Sequence, residues 1–112
     1  MDEPVLSIVI PVKNNNGTLA VTVDTVLAQS YSNIEIVVSN NSRHENVKKI
    51  VDAFNDSRIK YICPDETMTF SGDWNFALSG VTGDYVTFLG DDDAALPKSY
   101  EIGIAHQKVL HL

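Results

Sequence analysis

The sequence predicts an α/β protein with a doubly wound, mainly parallel sheet, on the basis of two features of its hydrophobic pattern. Short apolar runs rich in β-branched residues alternate with stretches in which apolar residues recur at helical spacing. The first run, residues 5–12 (VLSIVIPV), is almost continuously apolar, which is typical of a central parallel strand covered on both faces. Because strand–helix–strand crossovers are right-handed, we predict that the strands lie in the order three, two, one, four.

Each further element is predicted from its local pattern. The later strands are predicted at residues 34–38, 58–63 and 84–89. The first helix has apolar residues on one face, namely Leu19, Val23, Val26 and Leu27. Ser42 and Glu45 have the spacing of a capping box, which predicts the start of the second helix. Glycines at 80 and 83 are predicted to end the third helix. The apolar residues on one face of this helix are Trp74, Ala77, Leu78 and Val81. Pro97 predicts the start of a last helix, in or just after which the chain ends.

Length and charge narrow the class of protein. The chain has 112 residues and a formal charge of -7, from 15 acidic and 8 basic side chains. We therefore predict one domain, residues 1–112, that binds neither nucleic acid nor an anionic membrane, because such proteins need a basic surface. No apolar run reaches the roughly 18 residues of a membrane span and the N-terminus is acidic, so we predict a cytoplasmic location. Cys63, the only cysteine, is predicted to be a buried thiol at a strand end.

Three consecutive carboxylates, Asp91, Asp92 and Asp93, follow the fourth predicted strand and Gly90. Ligands of open α/β sheets bind at the carboxyl ends of the strands, so this segment and the loops at 13–17, 39–42 and 64–71 are the candidate site. Crowded carboxylates repel one another unless a cation lies among them, and Mg²⁺ or Mn²⁺ favours such oxygens. The alternative is a solvated acidic turn that caps the helix near Pro97.

Three segments in the right order resemble the family-2 glycosyltransferases of the GT-A fold. Residues 7–14 (SIVIPVKN) are similar to the first strand of that family, and residues 26–38 to its first helix and second strand. Residues 88–97 (FLGDDDAALP) are similar to its acidic, metal-binding segment. Residues 72–78 also resemble a helix of a bacterial branch that decorates polysaccharides.

The resemblance implies roles for particular residues. It makes Asp92 the direct metal ligand, with Asp91 near the ribose or a metal-bound water and Asp93 in support, and it implies Mg²⁺ or Mn²⁺ as the cofactor. The residues implied to bind the nucleotide sugar are Pro11, Val12, Lys13, Asn14, Ser39, Asn40, Asn75 and Asp91.

Three positions depart from the family pattern. Lys13 stands where many members have an aromatic residue against the base, and Ser39-Asn40 stands where they have an acidic pair. Trp74 replaces an arginine that often precedes the helix asparagine. The lysine stem and the hydroxyl or amide can still cover or hydrogen-bond a base, so the identity of the base stays open.

The resemblance implies the donor-binding part of an enzyme that transfers a sugar from a nucleotide-diphosphate donor to a saccharide or lipid-linked acceptor. In the family the acceptor site and the catalytic base lie after the acidic segment, in a C-terminal half that we expect this chain to lack. His106 and His111 are interpreted as surface residues rather than as that base. We expect a homodimer through apolar residues beside the fourth strand.

Two alternatives stay open at this point. The chain could be a metal- and nucleotide-binding module without transfer activity, or an interaction protein that keeps only the fold. A receiver-type phosphoacceptor domain is excluded, because it needs an aspartate at the end of the third strand, where this chain has Cys63-Pro64.

Overall fold

The computed structural model describes residues 4–13, 17–42, 44–65, 70–91 and 110–111. Its elements in chain order are β1 (Leu6–Val12), α1 (Leu19–Leu27), β2 (Ile34–Asn40), α2 (Glu45–Phe54), β3 (Ile59–Ile62), α3 (Phe70–Leu78), β4 (Tyr85–Phe88) and β5 (Leu110–His111). The described strands form one sheet in the order β3-β2-β1-β4-β5, in which β1 to β4 are parallel and β5 is antiparallel to β4. The predicted fold class and the predicted order of the first four strands are confirmed.

The continuous apolar run of β1 is explained by its central position. Its even-numbered residues, Leu6 to Val12, pack into a core with α1 and α2, whereas Val9 packs on the opposite face with Ala77 of α3. Ile8, Val9 and Ile10 are all 0% exposed, so both faces of the strand are covered, as the sequence predicts. Among the described residues no helix is long and apolar enough to cross a lipid bilayer.

The start of α2 differs from the prediction. The helix begins at Glu45 with His44 at the N-cap position, so the predicted capping box of Ser42 and Glu45 is wrong. The Ser42 hydroxyl instead donates a 2.5 Å hydrogen bond to the side-chain oxygen of Asn40 and accepts one from the His44 N–H. Because this hydroxyl is engaged with the end of β2, it caps the turn before the helix rather than the helix itself.

Two features near the strand ends were also not expected. Cys63 is exposed, so the prediction of a buried thiol is wrong; it lies one residue beyond β3, the outer strand on that side, while Pro64 is buried in its place. The two-residue strand β5 has no counterpart among the predicted elements, and pairs His111 with Tyr85 and Leu110 with Val86. The predicted last helix and His106 lie outside the described residues.

The turn between α3 and β4 is held against the sheet at the edge opposite the strand carboxyl ends. The Glu35 carboxylate accepts hydrogen bonds from Ser7 and Thr82 and pairs with Lys60 at 2.8 Å. Lys60 also donates to the Gly80 carbonyl, so β1, β2, β3 and the turn share one network. This network fixes the start of β4 and thus the strand that leads to the acidic segment.

Gly83 lies in this turn at a position with no room for a side chain. A Cβ there would lie 2.4 Å from the Ser7 hydroxyl and 2.8 Å from the carbonyl oxygen of Val5. We expect Gly83→Ala to lower the free energy of unfolding by about 1 to 3 kcal/mol, because the backbone at Val5, just before β1, must shift. Urea unfolding measures this effect. Ser79→Ala, at an exposed position before the same turn, is the control, and equal stabilities of the two variants would contradict the prediction.

Candidate functional site

A cavity of about 150 Å³ opens at the carboxyl ends of β1 and β4, beneath α3. It is lined by Pro11, Lys13, Trp74, Ala77, Phe88, Leu89 and Gly90. The register explains this grouping, because Val9 of β1 lies beside Phe88 of β4, so that the residues after them meet at the same edge. This is the edge at which open α/β sheets bind their ligands.

The wall of the cavity is aromatic. The ring of Trp74 meets that of Phe88 edge to face, with an angle of 88° between the planes. Trp74 is 39% exposed, which is unusual for tryptophan in a folded domain and leaves part of the indole open to a ligand. Lys13 is the charged residue among the lining residues that the structure describes, so the cavity combines an apolar surface with one cationic side chain.

The first aspartate of the acidic segment lies beside this cavity. Asp91 directly follows the lining residue Gly90 and is half-buried. Its backbone carbonyl accepts hydrogen bonds from the hydroxyls of Thr18 (2.8 Å) and Thr22 (2.9 Å) of the α1 region. The amino-terminal end of α1 therefore contacts the start of the acidic segment directly.

The predicted metal ligands lie only in part within the described structure. Asp92 and Asp93 lie outside the described residues, as does Asn14. Within the described ranges no three His, Cys, Asp or Glu side chains are grouped closely enough to hold a metal ion. The donor set of three adjacent carboxylates fits a hard divalent cation by its chemistry, and the assignment of Asp91, Asp92 and Asp93 stays a prediction.

Ser39 lies on the same face of the sheet as the cavity. It is the neighbour of Pro11 in the β1–β2 register and is fully buried. Among the described residues its hydroxyl has no hydrogen-bond partner. A buried hydroxyl without a partner usually finds a water or a ligand, so this observation is compatible with the predicted role of Ser39, which stays a prediction.

Asn40 and Val12 occupy the other face, toward α1 and α2. The amide nitrogen of Asn40 donates to the His44 carbonyl and to the Tyr61 hydroxyl, both at 3.0 Å. The Val12 carbonyl accepts the N–H groups of Asn41 and Ser42. These bonds shape the loop after β2, so any contact of Asn40 or Val12 with a nucleotide has to coexist with them.

The remaining predicted residue, Asn75, is exposed on α3 beside Trp74. The structure thus brings Pro11, Lys13 and Asp91 to one region and directs Val12 and Asn40 to the opposite face. Sequence reasoning missed Ala77 and Phe88 as lining residues, because their spacing and position are those of ordinary core residues. It also missed the two threonines, which no local pattern connects to Asp91.

The chain matches known proteins over most of its length. The model of glycosyl transferase family 2 matches residues 7–109. The UDP-Glc:alpha-D-GlcNAc-diphosphoundecaprenol beta-1,3-glucosyltransferase WfgD of Escherichia coli is 31% identical over 105 residues, which are 94% of this chain and 42% of that protein. The GalNAc(5)-diNAcBac-PP-undecaprenol beta-1,3-glucosyltransferase of Campylobacter jejuni is 31% identical over 83% of this chain and 31% of that protein. The chain therefore spans less than half the length of these relatives.

Solved structures resemble the fold. The structure of S. aureus TarS in complex with UDP-GlcNAc superposes with a TM-score of 0.79 at 17% identity, covering 92% of this chain and 31% of that chain. The mannosyltransferase PcManGT of Pyrobaculum calidifontis, in complex with GDP-Man and Mn²⁺, has a TM-score of 0.71 at 19% identity, covering 83% of this chain and 29% of that chain. These similarities confirm the predicted GT-A fold.

Proposed function

Because the chain belongs to glycosyl transferase family 2, we propose that it forms the donor-binding part of a sugar transferase. The donor is a nucleotide-diphosphate sugar and the acceptor is a saccharide or a lipid-linked saccharide. The observation that supports this best is the cavity beside Asp91, at the carboxyl ends of β1 and β4. An apolar cavity with one cation and a neighbouring acidic segment suits a ligand that has both a ring and a diphosphate.

The lining residues divide naturally between the two parts of such a ligand. Trp74 and Phe88 offer aromatic surface to a base or to the apolar face of a sugar ring. The Lys13 ammonium group attracts the diphosphate, since it is a compact positive charge at the same cavity. Ser39 and Asn75 supply hydrogen bonds, and the remaining proposed contacts are Pro11, Val12, Asn14 and Asn40.

The carboxylates of Asp91, Asp92 and Asp93 would hold a divalent cation, Mg²⁺ or Mn²⁺, in this proposal. When bound, the cation neutralises charge on the departing diphosphate. The related fold of PcManGT was solved with Mn²⁺ and GDP-Man, which supports this choice of ion. The three consecutive aspartates resemble the DXD-like acidic motif of the family, which is the basis for assigning the cation to them.

For the acceptor we propose a class of molecule rather than a particular compound. The names of two relatives specify diphosphoundecaprenol- or PP-undecaprenol-linked acceptors, which supports a lipid-linked acceptor and a place in polysaccharide synthesis. Since the relatives are more than twice as long as the matched region, the proposal assigns acceptor binding and the catalytic base to regions beyond it. We also propose that the protein is cytoplasmic and that it forms a homodimer.

The donor site is tested by titration calorimetry with UDP and GDP, each with Mn²⁺ and with a chelator. We expect one nucleotide to bind in the high micromolar to millimolar range, about -4 to -6 kcal/mol, and to bind more tightly with Mn²⁺. Lys13→Met should weaken binding in both conditions. Lys49→Met, at an exposed position of α2, should leave binding unchanged. Absence of detectable binding of either nucleotide at millimolar concentration would favour a fold-only interaction protein.

A second candidate is a module that binds nucleotide and metal without transferring sugar. Trp74 stands where the family often has an arginine, which removes one possible contact to the departing diphosphate and favours this candidate. Hydrolysis of a UDP- or GDP-sugar without acceptor separates the two candidates. Release of free sugar supports the transferase, and binding without release supports the module.

A further inference from the structure

Two threonine hydroxyls converge on one backbone carbonyl at the start of the acidic segment. Thr18 and Thr22 stand one helical turn apart, and their Oγ1 atoms lie 2.8 Å and 2.9 Å from the carbonyl oxygen of Asp91. A carbonyl oxygen has two lone pairs, so two donors fill its hydrogen-bonding capacity. The contact joins residues about 70 positions apart in the chain.

The Thr18 hydroxyl is not used in the way a helix N-cap ordinarily uses it. Thr18 is the N-cap residue of α1, yet its side chain makes no capping bond to the first turn, which a threonine in that position usually does. Thr22 is 1% exposed in the helix interior, where a threonine hydroxyl often returns to a carbonyl one turn earlier. Both hydroxyls donate to the Asp91 carbonyl, a long-range contact that the local capping of α1 does not require.

The position of the contact along β4 is equally informative. The sheet holds the chain as far as Leu89, whose N–H donates to the Val9 carbonyl at 2.9 Å. Gly90 then gives the backbone wide conformational freedom. The two threonine bonds restrain the chain directly after this glycine, where the β-sheet no longer does so.

We propose that Thr18 and Thr22 are positioning residues that hold the Asp91 carbonyl, and with it the start of the acidic segment, in the orientation that binding of a cation and a diphosphate requires. The peptide group that begins at the Asp91 carbonyl is planar, so fixing its oxygen restrains the entry of the chain into Asp92. The inference rests on the proposed donor-binding function.

The hydrogen bonds are made to a main-chain oxygen, which allows a clean test. Thr22→Val keeps the shape of the side chain and removes the hydroxyl, while all three carboxylates stay in the chain. Thr22→Ser keeps the hydroxyl and serves as the rescue. Thr25→Val is the matched control, because the Thr25 hydroxyl donates to the Thr22 carbonyl inside α1.

The experiment measures UDP and GDP affinity by calorimetry with Mn²⁺ and with chelator, together with thermal unfolding of each ligand-free variant. We expect Thr22→Val to weaken the Mn²⁺-supported affinity about 3- to 10-fold, the effect of one neutral hydrogen bond, with the affinity in chelator unchanged. Thr22→Ser should stay within about 2-fold of the wild type, and Thr25→Val should match the wild type in both conditions.

Three results would overturn the inference. The first is a Thr22→Val protein with the full Mn²⁺ effect, and the second is an equal loss with and without Mn²⁺, which is the sign of a general structural role. The third is the same selective loss in Thr25→Val. If Thr22→Val does not fold, Thr18→Val, at an exposed position, is judged by the same comparison. A wild-type chain that binds neither nucleotide overturns the proposed function itself, and its titration distinguishes that failure from the others.

Discussion

Replacing Glu35 with glutamine is expected to lower the free energy of unfolding at neutral pH by about 2 to 3 kcal/mol. The side chain is only 13% exposed, and its carboxylate accepts bonds from the Ser7 hydroxyl at 2.6 Å and from the Thr82 N–H and hydroxyl at 2.9 and 2.7 Å. A glutamine loses the ion pair with Lys60, and its amide nitrogen would face hydrogen-bond donors. The network that joins the α3–β4 turn to the sheet would therefore be weakened at its centre.

The same network predicts how stability depends on pH. Burial alone would raise the pKa of Glu35, but the ion pair with Lys60 and the bonds from Ser7 and Thr82 outweigh it and lower the pKa from 4.5 to about 2. Since the folded-state pKa is the lower one, the stabilisation is present above the unfolded-state value and is lost as pH falls from about 5 toward about 2. A lowering of the Glu35 pKa by this amount corresponds to about 3 kcal/mol of stabilisation of the folded state.

Urea unfolding at neutral pH and at about pH 3 measures both effects. The wild type should lose more stability between these two conditions than Glu35→Gln, whose side chain does not titrate. Glu45→Gln is the control, because Glu45 is an exposed carboxylate in the first turn of α2. Parallel pH profiles for the wild type and Glu35→Gln would show that the network does not carry this stabilisation.

The sequence predicts the parallel core because a strand that is buried on both faces is apolar along most of its length. The residues of β1 that face α1 are apolar and so is Val9 on the opposite face, and this pattern has few explanations other than a central strand. The two residues of β5 carry no periodicity, so their pairing with β4 could not be predicted. The start of α2 differs from the prediction for a related reason. The Ser42 hydroxyl bonds to the side chain of Asn40 rather than to the first turn of the helix, and sequence spacing does not show which of these two partners it takes.

The sequence likewise predicts only part of the candidate site. The rule that ligands bind at strand carboxyl ends predicts the region of Pro11, Lys13 and Asp91, because strand order and direction already define that edge. Which neighbours share a face, as Pro11 and Ser39 do, depends on the register between β1 and β2, which the sequence alone does not specify. The bond from Thr22 to Asp91 depends on how α1 packs against the sheet, and no local pattern in the sequence encodes that contact.

Asp92→Asn should remove most of the nucleotide affinity that Mn²⁺ adds, a loss of about 10-fold or more if Asp92 is the direct ligand. Asparagine has nearly the same shape, but its neutral oxygen is a much weaker ligand for a hard divalent cation than a carboxylate is. Asp52→Asn is the control for the change in net charge, because Asp52 is an exposed residue of α2 that pairs with Lys48.

The comparison of Asp92→Asn with Asp91→Asn decides how the acidic segment is used. Calorimetry with UDP and GDP should show the larger loss of the Mn²⁺ effect in Asp92→Asn and a loss in Asp91→Asn that extends to the nucleotide itself, if Asp91 lies near the ribose. Reversal of this order would make Asp91 the direct ligand, and its carbonyl bonds to Thr18 and Thr22 would then restrain a metal-binding residue itself. An unchanged Mn²⁺ effect in both variants would contradict a cation site at this segment, because crowded carboxylates without a cation would then be no more than a solvated turn.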